Sequence, residues 1–129
     1  MKEYCPFCDP ERIKDKAGEN GAVFALEDGC PVTPGHMLII PRRHTTDYFT
    51  MTTQEIHDAE GLIRYLKDKI TSEDPTVLGF NIGTNCGETA GQTVMHAHIH
   101  LIPRRKGDTE NPRGGVRGVI PCKRGYKHV

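Results

Sequence analysis

The chain has 129 residues, 17 basic and 17 acidic, with 36% hydrophobic content, which suits one compact domain around a single apolar core. Balanced charge excludes the overall positive field of a general nucleic-acid binder, and there is no run of about eighteen apolar residues to cross a membrane. The opening MKEYCPFCDP is charged and proline-broken where a signal peptide would be apolar, so the expected location is the cytoplasm, where thiols stay reduced and five cysteines do not form a disulfide framework.

Ala22 to Leu26 and Met37 to Ile40 are short apolar runs bounded by Asp28, Gly29, Pro31, Pro34, Gly35 and Pro41, and they read as two strands of a hairpin. Thr52-Thr53-Gln54-Glu55 offers a capping box, after which Ile56, Ala59, Leu62, Ile63, Leu66 and Ile70 line one face of a long helix. Ser72 to Pro75 ends that helix, Thr76 to Ile82 reads as a buried strand, and Gly83 to Gly91 is a polar, glycine-rich loop. Val94 to Ile102 then alternates His96, His98 and His100 with Ala97, Ile99 and Leu101, so as a strand it sends all three imidazoles to one face. Beyond Pro103 the chain turns to Arg, Lys, Gly and Pro with a surplus of six positive charges, a composition for a largely irregular tail that can gather polyphosphate.

Three histidines on one face make a site. Imidazole is largely neutral near physiological pH and has a free lone pair, and its attack on phosphorus gives a labile phosphoramidate that divides one slow displacement into two easier ones. His98 is the best-placed nucleophile, because neighbours two positions away on either side can orient it and donate to phosphate oxygens or the leaving group. The preceding Gly87 to Thr93 loop supplies unobstructed backbone N–H groups for an anion. The competing readings of His-x-His-x-His are a zinc face of the carbonic-anhydrase kind and a solvated edge strand. Cys5-Pro6-Phe7-Cys8 has the spacing for two thiolates on one tetrahedral ion, which is half a site and needs two further ligands. Its alternative is a redox pair, but no helix pattern follows Cys8 to lower a thiol pKa. Cys30, Cys86 and Cys122 have no partner spacing and read as ordinary thiols.

The run Gly91-Gln92-Thr93-Val94-Met95-His96-Ala97-His98-Ile99-His100-Leu101-Ile102 resembles the signature of the histidine triad (HIT) family, and Asp28 with Pro34 to His44 resembles that family's acidic ribose position and second core strand. The resemblance implies an α+β fold with a five-stranded antiparallel sheet, one long and one short helix, and sheets paired across a two-fold axis in a homodimer. It also implies a HIT domain over residues 1–104 and a basic, largely irregular tail over 105–129. His98 would form a nucleotidyl-histidine intermediate, with His96 and His100 as the other catalytic histidines. Gly91, Gln92, Thr93 and His100 would hold phosphate oxygens, Asn85 the phosphate or leaving group, and Asp28 the ribose hydroxyls. The alternative reading of Asp28 is a turn residue before Gly29, and His36 is left outside catalysis as support packed near the triad or a strand-edge residue.

In the zinc-bearing branch and the related galactose-phosphate uridylyltransferases, a CxxC joins two histidines matching His44 and His96, so the resemblance implies a structural zinc on Cys5, Cys8, His44 and His96. The implied substrate is a purine nucleotide, adenine by resemblance alone. Gln92-Thr93 and Pro103-Arg104-Arg105 lean toward the dinucleoside polyphosphate hydrolases, with Arg113 and Arg117 over the polyphosphate, while Asp28 and Asn85 lean toward the phosphoramidases. A nucleotide-binding regulatory module with incidental turnover is the alternative, because a pocket does not by itself name a biological role.

Overall fold

A computed structural model describes residues 3–125. Five strands, β1 (Gly18–Asn20), β2 (Val23–Glu27), β3 (Met37–Pro41), β4 (Val77–Gly83) and β5 (Ile99–Arg105), form one antiparallel sheet in the order β1-β2-β3-β5-β4. The expected β2–β3 hairpin pairs Val23 with Pro41 through Glu27 with Met37. The fifth strand, without a clear sequence signal, is β1.

Helix α1 (Thr53–Glu73) starts where the capping box predicts. The Thr52 hydroxyl accepts the Glu55 N–H at 3.1 Å and the Glu55 carboxylate accepts the Thr52 N–H at 2.8 Å, satisfying two donors that a helix start leaves open. Arg43 donates twice to the same carboxylate, at 2.9 and 3.1 Å. Ala59, Leu62, Leu66 and Ile70 are buried against Val23, Ala25, Ile39, Ile99 and Leu101, with Ile56 and Ile63 partly buried beside them. Each fully buried aliphatic side chain here contributes about 1.5–3 kcal/mol. A second tie joins the helix to the β1–β2 turn, where the buried Asp58 carboxylate accepts the Ala22 N–H at 2.9 Å and the Gln54 amide at 2.8 Å. Gly21 sits there at φ +52°, and a Cβ on it would run into Asp58, so only glycine meets both demands.

The other face of the sheet carries Phe24, Leu26, Leu38 and Ile40, covered by Phe7 and Ile13 of the N-terminal segment. That segment holds its shape through turns, among them Cys8 N–H to Cys5 O at 3.1 Å.

Two strands differ from expectation. β4 is an edge strand and not a buried one: only Val77 is buried, and Leu78 and Ile82 are exposed. The cause is topological, since β5, later in the chain, inserts between β3 and β4. The histidine strand begins at Ile99 and runs past Pro103 to Arg105, instead of spanning Val94 to Ile102. Ahead of that strand Ala97 bonds to the loop after β3, its N–H donating to Thr45 O at 2.7 Å. The β3 pairing stops at Leu101, so proline at 103 is tolerated. In the tail, the regular elements among the described residues are two 3-10 turns, Gly115–Val119 and Pro121–Lys123; residues 126–129 of the expected tail lie outside the described part. The short helical elements elsewhere are also 3-10 turns, Tyr48–Thr50 and Glu88–Ala90.

Candidate active site

The three triad histidines gather around Phe7, but a bend brings them there and not a continuous pleat. Phe7 lies edge-on to His96 at 5.8 Å and to His98 at 5.2 Å between ring centroids, and His98 meets His100 at 5.3 Å. Each ring has a different set of partners, and the partners determine which nitrogen keeps a lone pair.

His98 Nδ1 lies 2.8 Å from the His96 carbonyl. A carbonyl only accepts, so Nδ1 carries the hydrogen and Nε2 the lone pair. The His98 carbonyl in turn accepts the Thr84 hydroxyl at 2.7 Å, fixing the peptide that carries the ring. A cavity of about 220 Å³ holds His98 and His100 together with Phe7, Asp28, Asn85, Gly91 and Thr93. Gly91, at φ +94°, closes the 3-10 turn Glu88–Ala90 and leads into Thr93.

His36, which sequence reading left outside catalysis, sets the state of His100. The Val32 N–H donates to His36 Nδ1 at 3.0 Å, so the His36 hydrogen sits on Nε2 and points to His100 Nδ1 at 2.9 Å. His100 therefore keeps its own hydrogen on Nε2 as a donor. Burial lowers the pKa of both rings, with the neighbouring histidines adding to the effect on His100; the Asp28 carboxylate offsets it in part in each case. Asp28 Oδ1 accepts the Cys30 N–H at 2.8 Å, while Oδ2 lies 3.4 Å from His36 and 3.9 Å from His100. Asp28 is thus both a turn residue and a wall of the cavity. Asp28, His36 and His100 approach closely enough to suggest a metal triad, but a ring accepting the Val32 N–H on Nδ1 must keep its hydrogen on Nε2, so the two rings are joined by a hydrogen bond and Asp28 stands beside them as a charge. The pattern PGHM held the signal for His36; its partner became visible only when β3 and β5 paired Leu38 with His100.

His96 is not placed to move a substrate proton. It is fully buried, its Nε2 donates to the Pro41 carbonyl at 2.8 Å, and its Nδ1 faces Cys5 Sγ at 3.4 Å and Cys8 Sγ at 3.5 Å. Burial chiefly lowers its pKa, helped by His44 and His98. Cys8 Sγ is also 3.4 Å from His44 Nδ1, and all four candidate ligand atoms lie within 4.8 Å of one another. A tetrahedral zinc with ordinary bond lengths would separate sulfur from nitrogen by about 3.5 Å, so this donor set fits the metal, and the Pro41 bond fixes the tautomer that ligation requires. When bound, zinc would supply a cross-link between the N-terminal turn and the core.

Gln92 also differs from expectation. Its oxygen accepts the Gly87 N–H at 2.8 Å and its nitrogen donates to Thr46 O at 2.7 Å and Val94 O at 3.0 Å. With both ends of the amide engaged and the residue buried, its side chain braces the loop and is withdrawn from phosphate. The described part of the tail supplies no lining residue to the His98 cavity; the Arg117 guanidinium is turned to the carbonyls of Lys123 and Arg124, at 3.0 and 3.3 Å.

Residues 10–107 match the HIT domain family, a span that starts just after the Cys5–Cys8 turn. The protein named hit from Bacillus subtilis is 36% identical over 114 residues, covering 82% of this chain and 75% of that one. The asymmetrical bis(5′-nucleosyl)-tetraphosphatase of Schizosaccharomyces pombe is 38% identical over 81 residues, covering 60% and 42%. A crystal structure of a HIT family protein from Bacillus anthracis superposes with a TM-score of 0.74 at 35% identity, covering 84% of this chain and 78% of that one.

Proposed function

The chain belongs to the HIT domain family, and from that premise we propose that it cleaves a dinucleoside polyphosphate or a nucleoside phosphoramidate at the α-phosphate through a nucleotidyl-histidine intermediate. The observation that carries this reading is the 2.8 Å bond from His98 Nδ1 to the His96 carbonyl, within a cavity that His100 and Asp28 share. It reserves the Nε2 lone pair for phosphorus. As the P–N bond forms, the bond to the leaving group breaks and its electron pair departs with that group. The imidazole becomes cationic, and the His96 carbonyl dipole stabilises the charge. His100 Nε2–H donates a hydrogen bond to the departing group, and a departing amine takes its proton from solvent water. Water then adds to phosphorus, the P–N bond breaks, and a mononucleotide leaves.

In this reading Gly91 and Thr93 hold phosphate oxygens, Asn85 the phosphate or leaving group, and Asp28 the ribose hydroxyls, for which each carboxylate oxygen keeps a spare lone pair. Gln92 and His96 act indirectly, through the loop and the carbonyl. We assign a structural zinc to Cys5, Cys8, His44 and His96, with the chemistry in residues 1–104 and the tail of 105–129 as an accessory. The S. pombe relative, named as a tetraphosphatase, favours a dinucleoside polyphosphate; adenine as the base and the cytoplasm as the location are carried over from the family resemblance. The exposed Leu78 and Ile82 on edge strand β4, beside an apolar groove of about 630 Å³ against α1, support a homodimer formed there.

Phosphorus NMR of diadenosine tetraphosphate and of adenosine phosphoramidate, each incubated with the wild type and with His98→Ala, tests the assignment. Cleavage by the wild type and at least about a thousand-fold less by the variant is the expected result. Binding without cleavage of either would leave a nucleotide-binding module.

A further inference from the structure

A second, larger cavity of about 760 Å³ lies across Thr93 and Val94 from the His98 cavity, and those two residues line both. Its floor includes Cys5, Cys8 and His44, but one metal ion accounts for a small part of that volume. The remaining walls are Glu3, Tyr4, Pro6 and Met95. Among the described residues no lysine or arginine lines it, so that lining offers a polyphosphate chain no cationic partner. Its character is apolar and aromatic with an acid at the rim, and its size falls in the range of small-molecule sites. Tyr4 is 68% exposed, yet its hydroxyl is tied to Asp9 at 2.7 Å, so the ring is held and its faces are open for stacking. Met95, also partly exposed, adds a soft, adaptable surface on the other side.

We propose that this cavity is the subsite for the distal nucleoside of a dinucleoside polyphosphate, with its base stacked on Tyr4 and the phosphate chain crossing the shared Thr93–Val94 wall. The inference rests on the functional reading above and gives it a substrate preference. The distal nucleoside then contacts the segment that the Cys2His2 cluster anchors, so the metal-binding turn also shapes leaving-group selectivity. A phosphoramidate with a small amine leaving group reaches none of it.

The test measures the affinities of diadenosine tetraphosphate and AMP in a His98→Ala background, where hydrolysis does not intervene, with and without Tyr4→Ala. The parent is expected to bind the dinucleotide more tightly than AMP. Tyr4→Ala should reduce that ratio about ten-fold, the loss typical of one base-stacking contact, and Tyr4→Phe should restore most of it, because the ring makes the contact and the Asp9 bond only steadies it. Equal affinities in the parent, or a ratio that Tyr4→Ala leaves unchanged, would overturn the subsite while leaving the His98 reading intact. A parallel fall for both ligands would also overturn it, by showing that Tyr4 acts only through the fold of the N-terminal turn. Failure of both ligands to bind the parent would sink the functional reading along with the subsite.

Discussion

The two faces of the sheet are held by different means. On one, a capped helix of 21 residues lays Ala59, Leu62, Leu66 and Ile70 onto the apolar side of β2, β3 and β5. On the other, Phe24, Leu26, Leu38 and Ile40 are covered by Phe7 and Ile13 from a segment built of turns, and Cys5, Cys8, His44 and His96 converge beside them. Apolar area holds most of the first face, with the Asp58 bonds to the β1–β2 turn beside it. The second has less of it, with four candidate ligand atoms gathered beside it, and the His98 cavity lies on this thinner side. A cavity beside a reactive imidazole is incompatible with close packing, so the side that carries the chemistry needs another source of order.

That contrast can be broken in graded steps. Removing metal with a chelator, or replacing Cys5 and Cys8 by serine, should give the largest effect. Structural zinc contributes on the order of 10 kcal/mol of binding free energy in small domains, and several kcal/mol of it should be lost here, seen as fast amide hydrogen exchange through residues 3–16 while α1 amides stay protected. Uniform protection after stripping would mean that both faces stand on apolar contacts. Leu66→Ala should cost about 2–5 kcal/mol in urea unfolding, and it should lower protection on both faces together, since α1 carries the global core. Asp58→Ala strands the Ala22 N–H and the Gln54 amide, and should cost about 1–3 kcal/mol, with a smaller effect if water reaches the β1–β2 turn.

The smallest effect is electrostatic and belongs to the end of α1. Thr76 and Arg105 donate to the Asp74 carboxylate and hold its pKa at about 2. A depressed carboxylate pKa stabilises the fold above the unfolded value near 4, and the contribution disappears as pH falls toward 2. Asp74→Asn should therefore flatten the acid limb of a stability-against-pH curve between about 4 and 2, leaving neutral stability slightly reduced. An unchanged acid limb would show that the ion pair is fully screened.

Local signals in the sequence were readable and nonlocal ones were not. The Thr52–Glu55 capping box and the apolar spacing of α1 depend on residues three or four apart, and the helix starts where they say. The alternation around the histidines suggested a strand from Val94, but Ala97 bonds to Thr45 and Gln92 to Thr46, partners some fifty positions away that no local pattern shows. The same holds within the site. The clustering of Cys5, Cys8, His44 and His96 followed from the resemblance, whereas the use of both ends of the Gln92 amide and the His36–His100 bond required the folded backbone. Strand β4 read as buried because its residues are apolar; its edge position depends on where a later strand inserts.

The sheet order β1-β2-β3-β5-β4 also bears on biosynthesis. As the chain leaves the ribosome, β3 and β4 each wait with an open edge until β5, synthesised last of the five, enters between them. Nascent chains that stop short of Arg105 present two unsatisfied strand edges, the kind of surface that recruits chaperones or aggregates. The same late strand carries His100 and follows His98 directly, so a truncated product is denied both its complete sheet and its assembled histidines.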